Sequence, residues 1–521
     1  MPPSKWITTS KALFIFLIIS IISHQSIQQS IINMPSTIPA TCDYRFDPQN
    51  RYSCFINNLT ATFGDLLEII GTHLPGRTDA DVLAVYHVDS RINRFNGEVL
   101  RKFDNLRIVN LRLTNLQSIS QNAFDVCSNF EELNIEVNAV TSLAPLLFQN
   151  CANFKVLRAF NNRIVNIPDN LFGNTRSLEV FDLHRNFRLS SIPGNLFQNM
   201  TNLRLFDVGS NEMSWLPPNI FINVANLEYV DVSRNNFNDS QVIINILNGH
   251  LGLRNIHFFG NLFPMFSLNF FTQFNRLESL ALSGFRNSSG IAWQALPPSL
   301  RTLGAYGIDE EIPENAFNQL TNLTMLDLSG VGISVLQRHT FRELRNLDTL
   351  FVMYTRIRTI HPELFASQGK LRILFLNWNE IQELPDGCLA PLVNLGNGTD
   401  NIGLHFYNNQ IQRLSASSFG QHPHLDYIDF AFNLITEIDR TVFSRFSPTI
   451  ALIDFGWNIC TRSRFSNATN LEDNENLQWC FNNYEGITTT TPNGTGNNFK
   501  KFEVFSVIFI GFLRVLKNFV F

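Results

Sequence analysis

The sequence predicts an α/β repeat solenoid with a parallel β-sheet along one face, and three observations carry that prediction. Blocks of apolar residues recur at spacings of mostly 23 to 26, asparagine returns at one fixed place in the block, and phenylalanine returns at another. The chain has 521 residues, 48 of them phenylalanine against 9 tyrosines and 6 tryptophans. Hydrophobic residues make up 44% and charged residues 16%, the latter below the quarter or so usual in soluble domains. That balance excludes a disordered chain. A formal net charge of −5, with no basic stripe, argues against a nucleic-acid partner.

Residues 1–26 read as a secretory signal: Lys5 and Lys11 precede an apolar run from Ala12 to Ile22 that is too short to span a bilayer. Residues 27–81 form an N-terminal cap region holding Cys42 and Cys54. Eight Asn-x-Ser/Thr sequons agree with the secretory route: Asn58, Asn199, Asn238, Asn287, Asn322, Asn397, Asn467 and Asn493.

The repeats fill residues 82–449. Leu106-Arg-Ile-Val109-Asn-Leu111 aligns with Phe130-Glu-Glu-Leu133-Asn-Ile135 and with Leu371-Arg-Ile-Leu374-Phe-Leu376, apolar at positions 1, 4 and 6. About fifteen such blocks run from residue 82 to the one starting at 425, and a partial block follows from Ile450. Alternation at positions 4 and 6 implies a short strand with those side chains in the core. Asparagine stands at position 9 in ten blocks, from Asn138 to Asn458, where its amide can satisfy backbone groups as the chain leaves the strand. Eight phenylalanines, among them Phe124, Phe148, Phe172 and Phe365, share position 19, and Phe197 and Phe317 join them once block length is allowed for. They form an expected aromatic spine behind the sheet. One rung cannot bury its apolar face alone, so the rungs must stack around one continuous core.

This pattern resembles the leucine-rich repeat family, and the chain looks similar to the insect secreted and cell-surface type. The resemblance implies a curved horseshoe with the sheet on its concave side, no cofactor, and ligands that meet the concave face. Extracellular members often carry four-cysteine caps, whereas this chain has two cysteines at each end. Seven cysteines in a secretory chain imply up to three bridges. The expected pairs are Cys42 with Cys54, Cys127 with Cys151 at position 22 of consecutive rungs, and Cys460 with Cys480 in a C-terminal cap over 450–485. Cys388 is left over, either a buried apolar thiol or the site of an intermolecular disulfide.

Residues 486–503 have the Thr/Gly/Asn-rich composition of a linker, and 504–521 form an apolar tail interrupted by Arg514 and Lys517. A lipid-anchor signal, a short membrane anchor and a free tail all remain open.

By the period of a strand, positions 3, 5, 7 and 8 face away from the core. In the C-terminal half they hold Phe351, Tyr354, Phe375, Trp378, His405, Tyr407, Tyr427, Phe432 and Trp457, which predicts an exposed aromatic patch and the candidate ligand site. Position 8 of four earlier rungs reads Gly260, Gly284, Gly307 and Gly330, either a bare floor for a ligand or relief of turn geometry. Asp182, Asp207 and Asp231 share position 5, with His184, Arg185 and Arg234 nearby. They are expected to be a solvated, locally paired face rather than a metal site, since no loop of convergent oxygens accompanies them. Motifs of the common hydrolases and phosphate loops are absent from the sequence, so no enzyme is expected. The function expected is extracellular recognition of a protein or microbial surface ligand, secreted or tethered, in innate immunity or cell-surface signalling, with a homo- or hetero-dimer open. The alternative is cell adhesion by self-association.

Overall fold

The computed structural model describes residues 37–487 apart from 63, 265, 284–290 and 399–402. The signal segment, Gly284, Asn287, Asn493 and the apolar tail lie outside the described residues.

Each rung contributes a strand of mostly three residues to one long parallel sheet, such as Glu132–Asn134, Val156–Arg158 and Val180–Asp182. Pairing keeps the repeat in register: Leu133 faces Leu157, and Leu157 faces Phe181. These central residues are position 4, and all three are completely buried. The strand stops there because position 8 takes a left-handed backbone, with φ of 55° at Val137, 53° at Asn161, 56° at Arg185 and 57° at Ser210.

Position-9 asparagine holds that exit in place. Asn162 Nδ2 donates to Ile135 O of the preceding rung at 2.8 Å and to Ala159 O of its own rung at 3.1 Å, while its Oδ1 accepts from Val140 N at 3.0 Å. Asn235 and Asn433 repeat the pattern. The amide therefore joins two rungs as well as closing one turn, satisfying backbone groups where the ladder has ended. Where Ile308 replaces it, and in the rung before, the exit changes. The strands Ser279–Ser283 and Thr302–Tyr306 run to five residues, paired as far as Ser283 with Tyr306.

A second asparagine ladder, unnoticed in the sequence, ties the far end of the rungs. Asn129, Asn153, Asn226 and Asn346 each donate to a backbone carbonyl 25 residues earlier. Between the ladders the chain runs through turns and 3-10 segments, so the helical part of the α/β class is small. The longest helix among the described residues, Ser240–Leu247, starts at Asp239, whose carboxylate accepts from Gln241 N.

The spine forms as a chain of ring contacts: Phe95 to Phe124 at 5.8 Å, Phe124 to Phe148 at 5.0 Å and Phe148 to Phe172 at 5.9 Å between centroids. In the rung starting at 277, where position 19 carries Ala295, Trp293 continues it, 5.6 Å from Phe317.

Antiparallel strands close both ends. Thr37–Phe46 and Tyr52–Asn57 form a hairpin whose second strand joins Ala84–Val88, and Arg464–Phe465 pairs with Leu452–Asp454. Neither rung edge is left as an open template for another chain. Disulfides join Cys42 to Cys54 and Cys460 to Cys480 in these caps, and Cys127 to Cys151 between neighbouring rungs with Cα atoms 5.0 Å apart. Cys388 is fully buried and unbonded, and burial pushes its thiol up to about 12. An intermolecular disulfide there would need the rung to open.

Phe148→Ala removes a fully buried ring that touches three others, Phe124, Phe154 and Phe172. Chemical denaturation is expected to show a loss of about 3–5 kcal/mol.

Candidate functional site

The concave strands and the turn that follows them carry two rows of aromatic rings over the last five rungs. One row lies on the strands: Phe351 to Phe375 at 5.1 Å, Phe375 to His405 at 3.9 Å and His405 to Tyr427 at 4.8 Å. The other follows the rim where the strands end. Tyr354, Trp378, Tyr407, Phe432 and Trp457 succeed one another at 5.5, 5.6, 5.1 and 5.6 Å. All nine sequence-predicted residues thus fall into two neighbouring rows.

Their exposure differs from the expectation. Phe351 is only 3% exposed, because Met353 and Ile373, with Met325 and Phe375, pack around it in a small cluster separate from the main core. The alternation rule puts position 5 outside the main core, but apolar residues at positions 3 and 7 of adjacent rungs cover it. His405 lies between two rings, and burial holds its pKa down to about 3, so the imidazole is neutral. Solvent instead meets the rim, with Tyr354 at 54% and Trp457 at 58% exposure.

Backbone conformation explains why the rim is unusual. Tyr354, Trp378, Phe432 and Trp457 have φ of 55°, 58°, 57° and 60°. Left-handed backbone costs a residue with a Cβ about 1–2 kcal/mol and is an outlier for bulky side chains. Gly260, Gly307 and Gly330 occupy the same position at φ of 70°, 59° and 73°, so these glycines relieve the turn. Placing large rings there costs stability that packing does not demand.

Position 5 has a structural use that the sequence reading did not find. The Oδ1 atoms of Asp182, Asp207, Asp231, Asp327, Asp429 and Asp454 each accept from the backbone N–H two residues on, at 2.7 to 3.2 Å. Asn110 and Asn134 make the same bond. The expected solvated acidic face is therefore corrected: Asp182 and Asp231 are buried, and all three carboxylates brace the strand exit. His184 Nδ1 lies 2.7 Å from Asp182 and 3.6 Å from Asp207, while His257 lies 3.5 Å from Asp231. Asp182, His184 and Asp207 bring one ligand atom each within 4.8 Å of one another. Their mutual contacts and the backbone bonds account for that geometry without an ion.

Burial raises Asp429 to about 7, with Asp454 adding repulsion, and raises Asp327 to about 6. The described sequon residues Asn58, Asn199, Asn238, Asn322, Asn397 and Asn467 are all exposed, and each lies outside the concave strands.

A profile described as the BspA-type leucine-rich repeat region matches residues 101–228 and 258–395 in six copies, just over half of the chain. The chain belongs to the leucine-rich repeat family. Among curated proteins it is 29% identical to keratocan of Bos taurus over 177 residues, which is 30% of this chain and 48% of keratocan. It is 31% identical over 152 residues to the leucine-rich repeat-containing G-protein coupled receptor 5 of Rattus norvegicus, 29% of this chain and 16% of that receptor. The chain therefore spans less than half the length of these relatives. Solved structures share the fold. The ectodomain of the plant receptor kinase GASSHO1/SCHENGEN3 from Arabidopsis thaliana has a TM-score of 0.57 at 18% identity, covering 81% of this chain and 53% of that one. A leucine-rich repeat protein of Leptospira interrogans has a TM-score of 0.50 at 18% identity, covering 73% and 91%. Among the described residues no helix is long and apolar enough to cross a membrane.

The raised Asp429 sets a pH dependence for this leucine-rich repeat domain. Its folded pKa, about 7, lies above the usual carboxylate value of 3.8, so the native state holds the extra proton between those limits. Stability from this group is full below the lower value and is lost as pH rises through the upper one. Asp429→Asn, which keeps the bond to Ala431 N, is expected to unfold at a higher temperature than wild type at pH 8. The two should converge near pH 4 in a thermal melt series.

Proposed function

We propose that this is an extracellular recognition protein that binds a protein ligand, host or microbial, through the concave face and rim of rungs 347–457. The single observation that carries the reading is the ladder of Tyr354, Trp378, Tyr407, Phe432 and Trp457, exposed at Tyr354, Phe432 and Trp457 and half-buried at Trp378 and Tyr407. Contiguous exposed apolar surface on soluble proteins marks interaction sites, and tryptophan and tyrosine are the residues most enriched at binding hot spots. The strain of holding large rings on left-handed backbone points the same way.

Ring orientation favours a protein over a sugar. Tyr354 on Trp378 and Phe432 on Trp457 stack at 15° and 24° between planes, so ring faces are spent on one another and edges point outward. Edges suit apolar side chains and carbonyl oxygens, whereas sugar rings stack on free faces. The sequon positions would leave glycans on the flanks, clear of this surface. Similar proteins include the Toll-like receptor 2 type-2 of Gallus gallus and the G-protein coupled receptor above, which fits a receptor-like role in immunity or cell-surface signalling. Secretion or tethering follows from the signal and tail compositions. Neither a nucleic acid nor a catalytic reaction is part of this reading.

Adhesion by self-association uses the same surface with a second copy as ligand. The full-length protein and its Trp378→Ala/Tyr407→Ala variant, screened against arrayed secreted proteins, microbial surface preparations and the protein itself, test the proposal. The variant is expected to lose at least about tenfold in affinity with nearly unchanged thermal unfolding. Equal capture by both proteins would refute the rim as the site, and a large fall in melting temperature would mean the rings serve packing instead.

A further inference from the structure

Between the glycine floor and the aromatic rim lies a carboxylate whose bonding is incomplete. Asp327 is 1% exposed on the concave sheet, in register between Gly304 and Phe351. Its Oδ1 accepts from Ser329 N at 2.9 Å, as at other rungs. Its Oδ2 is buried and takes no well-formed hydrogen bond, although the Tyr306 side chain is close. Four other concave acids have basic partners: His184 beside Asp182 and Asp207, His257 beside Asp231, and Arg464 at 2.8 Å from Asp454. Among the described residues, no Lys, Arg or His pairs with Asp327. A buried carboxylate oxygen without a good donor is costly, and more so when charged. Burial accordingly raises this group to about 6.

The Tyr306 side chain lies against Asp327. The Tyr306 ring lies so close over Gly304 that a Cβ there would be 2.7 Å from the ring, and the Tyr306 side chain reaches the Asp327 carboxylate. Beyond it, a Cβ at Gly307 would meet nothing within 4 Å, and at Gly330 only the backbone of Gly307. Among the described residues nothing else fills the space over these two glycines, and the exposed Tyr354 stands on the next rung.

We propose that Asp327 is the anchoring subsite for a lysine or arginine side chain of a polypeptide ligand, admitted when Tyr306 swings off Gly304 into the gap over Gly307 and Gly330. The ammonium or guanidinium supplies the well-formed hydrogen bond that Oδ2 lacks and the positive charge that the neighbourhood lacks. Apolar residues next to that basic residue reach the rim beginning at Tyr354. This inference rests on the rim reading of the preceding subsection, which supplies the rest of the ligand's contact.

Asp327→Asn is a gentle test, because Asn110 and Asn134 already make the same Oδ1 bond at this position. The probe is a random dodecapeptide library displayed on phage and selected on the full-length protein. Enriched peptides are expected to share a basic residue flanked by apolar ones. Replacing that residue by norleucine should weaken binding to wild type at least tenfold but to Asp327→Asn less than twofold, a coupling that additive effects would not show. Tyr306→Ala, which removes that ring and leaves the carboxylate, should keep the preference for the basic peptide, and it stands in as the test if Asp327→Asn melts early. Enriched peptides without a basic residue, or additive losses, overturn the subsite. If those peptides still require Trp378, the rim reading survives. If no peptide is enriched, or binding ignores Trp378→Ala, both readings fall.

Discussion

Everything in this solenoid depends on how a chain can leave a three-residue strand while its backbone stays buried. The solution is an amide side chain at position 9 that donates to carbonyls of two rungs and accepts from an amide of the earlier one. A lone rung has no second rung to bond, so neither the turn nor the apolar face is stable by itself. Stacking satisfies both together. Hydrogen-bond geometry and core packing then fix the same rung spacing, which lets one disulfide bridge neighbouring rungs at 5.0 Å between Cα atoms.

That exit also creates the surface available for function. Closing the turn puts position 8 in left-handed backbone on the concave rim, where its side chain points to solvent and is free of the core. Arginine, serine or glycine stands there over the middle rungs, and large aromatics in four of the last five, with Asn408 in the other. Position 5 beside it is tied down by an aspartate or asparagine bond in eight rungs. A change of binding chemistry along the solenoid therefore needs no change of fold. The rim is mixed or bare over the earlier rungs and mostly aromatic over the last five while the core keeps one pattern.

The architecture was legible in the sequence because it follows from a period. Apolar positions 1, 4 and 6, the asparagine ladder, the phenylalanine spine and the cysteine spacing each recur at fixed intervals, and recurrence identifies neighbours in space. What depends on contacts across rungs could not be read this way. Phe351 looked exposed by alternation, yet Met353 and Ile373 bury it. The aspartates of position 5 looked like a solvated stripe, since nothing in residue type shows that Oδ1 turns back to its own backbone. A signal was available in their interchange with asparagine at Asn110 and Asn134, which share an acceptor but no charge. The glycines of position 8 were read with two meanings, and their positive φ shows that turn relief applies at Gly260, Gly307 and Gly330.

The most direct test of the bridging role is residue-resolved amide hydrogen exchange on Asn409→Ala. Asn409 donates to Leu376 O and Phe406 O at 2.9 and 3.0 Å and accepts from Ile381 N at 3.1 Å. Removing it should raise exchange at Ile381 by about tenfold or more, as expected when an amide loses a bond worth on the order of 1.4 kcal/mol or more. Loss of protection should extend into the strands on either side while the cap hairpin at 37–57 stays protected. Wild-type exchange at Ile381 in the variant would contradict the account, because the rungs would then be held by packing alone.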